Sequence, residues 1–123
     1  MENFNFSWFT KTKSRLSDPR ISISKNNSFG LNAALVRKYG LKEFPYLLLG
    51  YDKNKNAIGF RFMKEKGTGA LSIRFTESDS GTTNSKNFFL DNKLDAAKFH
   101  GRHVVSEVVV ESSEIILAVN LQK

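Results

Sequence analysis

The chain has 123 residues, a net charge of +7, 40% hydrophobic residues and 11 phenylalanines, enough apolar side chain for one buried core and too much for a disordered polyelectrolyte. It contains no cysteine, which excludes disulfide frameworks, thiolate metal sites and cysteine nucleophiles together and leans towards a reducing compartment. No run approaches the ~20 apolar residues of a membrane helix and the N-terminus has no apolar leader, so the expectation is a soluble, cytoplasmic protein without membrane contact.

The charge is unevenly spread. Residues 1–25 carry five basic against two acidic groups and residues 26–63 six against two, whereas residues 64–123 carry eight of each. All of the excess therefore lies in the first half. A one-sided basic surface suits a polyphosphate partner, because each neutralised phosphate releases condensed counterions; a merely solvated lysine-rich surface is the alternative.

In chain order, Phe4, Phe6 and Trp8 alternate with Asn3, Asn5 and Ser7, the pattern of a short strand or extended arm. Such aromatics either stack on nucleobases, anchor a protein partner, or pack over an edge of the domain. The basic residues Lys11, Lys13 and Arg15 follow, and Ser17-Asp18-Pro19 closes the segment, so residues 1–19 read as an N-terminal arm. Ile21 and Ile23 then alternate with serines as a half-buried strand, Asn26-Asn27 turn the chain, and Phe29-Gly30-Leu31 resume an extended run.

Asn32 is a candidate N-cap for a helix whose Leu31, Leu35 and Tyr39 share a face, with Arg37 and Lys38 pointing elsewhere and Gly40 ending it. Residues 46–51 and 57–62 flank the polar turn 52–56 and predict a hairpin. Beyond the connector KEKGTG, whose glycines lack phosphate-loop spacing, Leu71, Ile73 and Phe75 alternate as one strand. Residues 76–86, rich in Ser, Thr, Asn, Asp and Gly, predict an exposed, mobile loop.

The second half then repeats the first. Residues 85–94 align without a gap on residues 32–41, with a capping residue at each start, apolar pairs at Leu35-Val36 and Phe88-Phe89, and closing leucines at Leu41 and Leu94. Residues 104–110 and 115–121 predict a second hairpin about Ser112-Ser113. The expected fold is mostly β with two short helices: a pseudo-symmetric β-barrel of two strand-helix-hairpin units, 20–63 and 69–121, within one barrel domain, 20–123.

The unit at residues 20–62 resembles the AbrB/MazE-like swapped-hairpin family of DNA-binding proteins. The resemblance is carried by Ser24-Lys25-Asn26-Asn27, Phe29-Gly30-Leu31, Leu35, Arg37 and Tyr39-Gly40-Leu41, followed by the hairpin. Asn32 stands where the family usually has proline, and Glu43-Phe44-Pro45 replaces its usual glycine-acid turn. In the family two units interleave into one barrel that presents basic residues to DNA; the resemblance implies that this chain carries both units, the second degenerate and uncharged overall.

The expected function is therefore DNA binding, as a small transcriptional regulator or antitoxin-like protein, monomeric or homodimeric. Contacts are expected from Lys25, Arg37, Lys38 and Lys42, helped by Lys11, Lys13, Arg15 and Arg20. The alternative is a protein-interaction module using Phe4, Phe6 and Trp8 or a hairpin edge; a small-molecule or enzymatic barrel ranks third. His100 and His103 lack third and fourth metal ligands, and no nucleophile elbow or paired-carboxylate pattern occurs, so no catalytic residue, metal or cofactor is expected.

Overall fold

The computed structural model describes residues 18–121; the aromatic arm and Lys11, Lys13 and Arg15 lie outside the described residues. The first hairpin pairs β1 (Arg20–Ile23) with β2 (Ser28–Leu31), and both strands bury alternate residues: Ile21, Ile23, Phe29 and Leu31 point in. Asn32 then caps α1 (Ala33–Tyr39), accepting the Leu35 amide at 3.0 Å. Its side chain also accepts the Arg20 amide at 3.1 Å and donates to the Asp18 carbonyl at 2.7 Å, fastening the start of β1 to the helix. Gly40 ends α1 in the left-handed region, φ 61°, and a short 3₁₀ turn, Leu41–Glu43, leads into the hairpin β3 (Tyr46–Asp52) and β4 (Ala57–Met63).

The second half differs from the sequence-based expectation in three places. The strand expected across Leu71, Ile73 and Phe75 is split into β5 (Leu71–Ser72) and β6 (Arg74–Phe75), which bond to different neighbours. The expected mobile loop is instead a tight turn followed by β7 (Gly81–Asn84), because Gly81 and Thr83 are buried and lock the strand against β2. Among the described residues there are three short α-helices rather than two: α2 (Lys86–Asp91), capped by Ser85, is followed by α3 (Ala96–Phe99), capped by Asp95. Small size and a local Asx cap are enough to start that last turn, and Ala96 anchors it in the core. The chain finishes with the hairpin β8 (Gly101–Val110) and β9 (Glu114–Asn120), with a register shift between Glu107 and Val109.

The strands form one antiparallel nine-stranded sheet in the order β5-β3-β4-β9-β8-β1-β2-β7-β6. Its two edge strands, β5 and β6, are consecutive pieces of a single segment, so the sheet curls into a nearly closed barrel. Ile73, between them, donates its amide to the Pro45 carbonyl at 2.9 Å, and the Thr83 hydroxyl bonds the Ser72 carbonyl at 3.1 Å. Gly81 permits the approach: a Cβ there would lie 3.0 Å from the Ile73 side chain and 3.3 Å from the Phe75 ring.

Both halves fill the core. Phe29 from β2 meets Phe60 from β4 edge-on at 5.2 Å and stacks on Phe89 from α2 at 5.3 Å, all buried, while Ile58, Phe62, Leu117 and Val119 complete the wall opposite. No described helix is long and apolar enough to cross a membrane.

The caps of α1 and α2 are not equivalent: the Asn32 side chain makes three hydrogen bonds, whereas the Ser85 hydroxyl makes one among the described residues, accepting the Phe88 amide at 3.2 Å. Asn32→Ala is expected to cost about 2 kcal/mol and Ser85→Ala about 1 kcal/mol, read from urea unfolding midpoints. Equal costs would show that the Asp18 and Arg20 contacts of Asn32 contribute nothing.

Candidate nucleic-acid interface

The inward alternation of β1, β2 and β7 dictates what faces outward: Ser22, Gly30 and Thr82, three small residues in register. Opposite Ser22 on β8 stands Arg102, and opposite Thr82 on β6 stands Arg74. One outward row therefore runs Arg102, Ser22, Gly30, Thr82, Arg74 across five strands, a span of about 19 Å at the usual strand spacing. The adjoining row places Ser28 opposite Asn84. Because the middle of the face carries hydroxyls and a glycine, it is shallow: Arg20, Ser22, Gly30, Asn32, Thr82 and Arg102 line an open groove of about 460 Å³. A second groove, about 260 Å³, continues it past Thr82 to Ser72, Arg74 and Asn84. No acidic residue lines either groove among the described residues.

Arg74 and Arg102 are exposed, and neither has a hydrogen bond or ion pair among the described residues. Arg20 is half-buried, bonds the Pro19 carbonyl at 3.1 Å and lies 3.6 Å from the Asp18 carboxylate. Guanidiniums spaced by hydroxyl and amide donors suit a row of phosphate oxygens, which accept from both. Arg102 and Arg74 were not among the residues singled out from the sequence. The outward parity of Ser72 and Arg74 around buried Ile73 is a local signal for Arg74, whereas Arg102 has none. What brings the two arginines to one face is strand order, which is not written locally.

The helix-borne cations are distributed otherwise. Lys25 is exposed in the turn between β1 and β2, where Ser24 and Ser28 bond the Asn26 side chain. Arg37 and Lys38 occupy the last turn of α1, as expected, but diverge. The Arg37 guanidinium bonds Asp79 at 3.1 Å, and Lys42 from the 3₁₀ turn pairs with the same carboxylate. Those two cations, from the charged first half, are thus brought together by an acid of the second. Their proximity holds the Asp79 carboxyl below its usual value, with the Lys42 hydrogen bond the larger cause and Arg37 the next.

Lys38 turns the other way, 4.0 Å from Glu107 on β8, and shares a mixed-charge groove with Arg20, Asp18 and Tyr39. The Tyr39 hydroxyl donates to Glu107 at 2.6 Å. The two histidines bond carbonyls of their own neighbourhood, His100 Nδ1 with Ala97 and His103 Nε2 with Phe99, each at 2.7 Å. No cluster of three or more His, Asp or Glu residues with metal-site geometry occurs among the described residues.

Burial and then the Glu107 contact push the Tyr39 phenol up to about 12 from 10.0. A neutral phenol favoured by the folded state stabilises the protein fully below the unfolded value, and this contribution is lost as pH rises from 10.0 to about 12. Urea midpoints measured through that window are expected to fall less steeply in Tyr39→Phe than in the parent chain; identical slopes would separate Tyr39 from the alkaline transition. No protein-family model, no curated protein and no solved structure matches this chain.

Proposed function

We propose that this protein binds DNA through the phosphate backbone, laying the duplex across the outer face of β8, β1, β2, β7 and β6. The observation that carries the proposal is the acid-free row from Arg102 to Arg74, with unpaired guanidiniums at both ends and donors between. Its span of about 19 Å matches the axial length of about six phosphates along one DNA strand, at ~3.4 Å per phosphate. Lys25 and Arg20 border the same hairpin and add to the field. Contacts of this kind position the duplex without reading bases.

The same proposal includes a swapped-hairpin architecture of the AbrB/MazE-like kind, built from two copies within one chain. Several local correspondences support it. The turn 24–28 and the turn 76–80 share their backbone bonds: Ser24 amide to Ser28 carbonyl and Asn27 amide to Ser24 carbonyl in the first, Thr76 to Ser80 and Asp79 to Thr76 in the second. Asn27 and Asp79 both adopt positive φ, 67° and 69°. Asn32 and Ser85 cap the following helices through their third residues, and Gly40 and Lys93 both take left-handed φ, 61° and 56°, before Leu41 and Leu94. The pairings also correspond, β1 with β8 as β5 with β3, while β2 pairs with β7 and β4 with β9.

The proposal is tested by titrating the protein against mixed-sequence duplex DNA over a salt series. Binding is expected to weaken steeply with salt. Arg74→Ala and Arg102→Ala are each expected to reduce the slope of log affinity against log salt by about one. Absence of binding at low salt would sink the reading, and unchanged slopes in both variants would move the interface off this face.

A second reading, protein interaction through a hairpin edge, is favoured by the exposure of Val104, Val108 and Val110 on β8, at 66%, 60% and 51%. Self-association through these valines predicts that Val108→Asp lowers the sedimentation coefficient; an unaltered monomeric value in both chains would discard that version.

A further inference from the structure

Asp79 stands in the turn between β6 and β7, and each of its carboxylate oxygens takes one cation, Oδ2 from Arg37 and Oδ1 from Lys42. An anion gripped by a guanidinium from the last turn of α1 and an ammonium from the following 3₁₀ turn is held as a phosphate would be. We propose that Asp79 is an internal stand-in for a DNA phosphate: it occupies Arg37 and Lys42 in the free protein and yields them to the backbone when a duplex lies across the sheet face. This inference rests on the DNA-binding reading above.

Position is the first support. Asp79 precedes Ser80, which lines the same groove as Arg20 and Arg102, so the clamp sits at the rim of the acid-free face. Released, Arg37 and Lys42 would extend that face from the sheet onto the end of α1 and the 3₁₀ turn after it. Accessibility is the second. The Arg37 and Lys42 side chains are 59% and 52% exposed, so exchanging one anion for another disturbs no core packing. Exposed ion pairs are weak and screened, and a polyphosphate that engages several cations at once outcompetes a single carboxylate.

The third support comes from the matching turn. Asn27 holds the position that Asp79 holds, with the same left-handed backbone and the same hydrogen bonds, but with an amide. The turn therefore needs an Asx side chain, which tolerates this conformation, and not a negative charge. The charge at Asp79 is left to its cation partners. An aspartate carboxyl is ionised at neutral pH in any case, and the two cations lower its pKa further, so the clamp is charged wherever the protein meets DNA.

The test compares Asp79→Asn with Glu77→Gln, an exposed acid in the same turn without a hydrogen bond or ion pair among the described residues. Both remove one negative charge from one place. Titrated against mixed-sequence duplex DNA across a salt series, Asp79→Asn is expected to bind about tenfold tighter than the parent chain at low salt, with a salt slope close to the parent's, since both chains neutralise the same phosphates once bound. Glu77→Gln is expected to gain no more than about threefold. Equal gains in the two variants overturn the clamp and leave the DNA reading standing, whereas no binding by any of the three chains overturns both. A carbon-13 measurement on the parent chain avoids reliance on the variant's folding. The Asp79 carboxyl is expected to titrate closer to its ordinary range with DNA bound; a midpoint unmoved by saturating DNA overturns the displacement.

Discussion

The structure depends on how its sheet closes. The seven strands from β3 round to β7 leave two edges, and one segment, residues 71–75, serves both by bonding β3 with its first residues and β7 with its last. Ile73 makes the change of partner possible, with its side chain buried and its amide turned to the Pro45 carbonyl. Without this segment, β3 and β7 would present unpaired amides and carbonyls to water or to another chain. Closure also fixes the outer surface, since the pleat that buries Ile73 is the one that turns Arg74 outward beside Thr82.

Register, more than charge content, then decides which cations are free. The first half holds the net positive charge of the chain, yet Arg37, Lys38 and Lys42 each meet an acid from the second half, Asp79 or Glu107. The neutral second half supplies Arg74 and Arg102 to the unpaired row. Adding charges along the sequence therefore points to a basic half, whereas in three dimensions the halves exchange partners. The proposed interface is a product of both, with its centre on the β1, β2 and β7 strands where the halves join.

The two turns 24–28 and 76–80 show how little chemistry separates a structural position from a regulatory one. Both need a residue that tolerates positive φ, and asparagine and aspartate satisfy that need equally. Only the second places a negative charge at that position, and it does so within reach of Arg37 at the end of α1 and Lys42 on the following 3₁₀ turn. A single-atom difference in side-chain chemistry, amide nitrogen against carboxylate oxygen, is enough to separate an open turn from a clamped one.

The sequence by itself determined the elements whose signals are local. Period-two alternation marked β1, the Asn32 and Ser85 caps with their apolar pairs marked α1 and α2, and polar turns marked both long hairpins, because each depends on residues within a few positions of one another. The class, mostly β with a barrel, was legible for the same reason. The split of residues 71–75, the strand at Gly81–Asn84 and the helix at Ala96–Phe99 were not, since a short polar run becomes a strand only when a distant partner and a buried glycine hold it. The site followed the same division: Arg37 and Lys38 could be placed at a helix end from spacing alone, but their partners could not. Tertiary structure alone decided that Asp79 would take Arg37 and Lys42, and that Arg74 and Arg102 would share a face, because long-range register sets which side chains meet and leaves no trace in the local pattern.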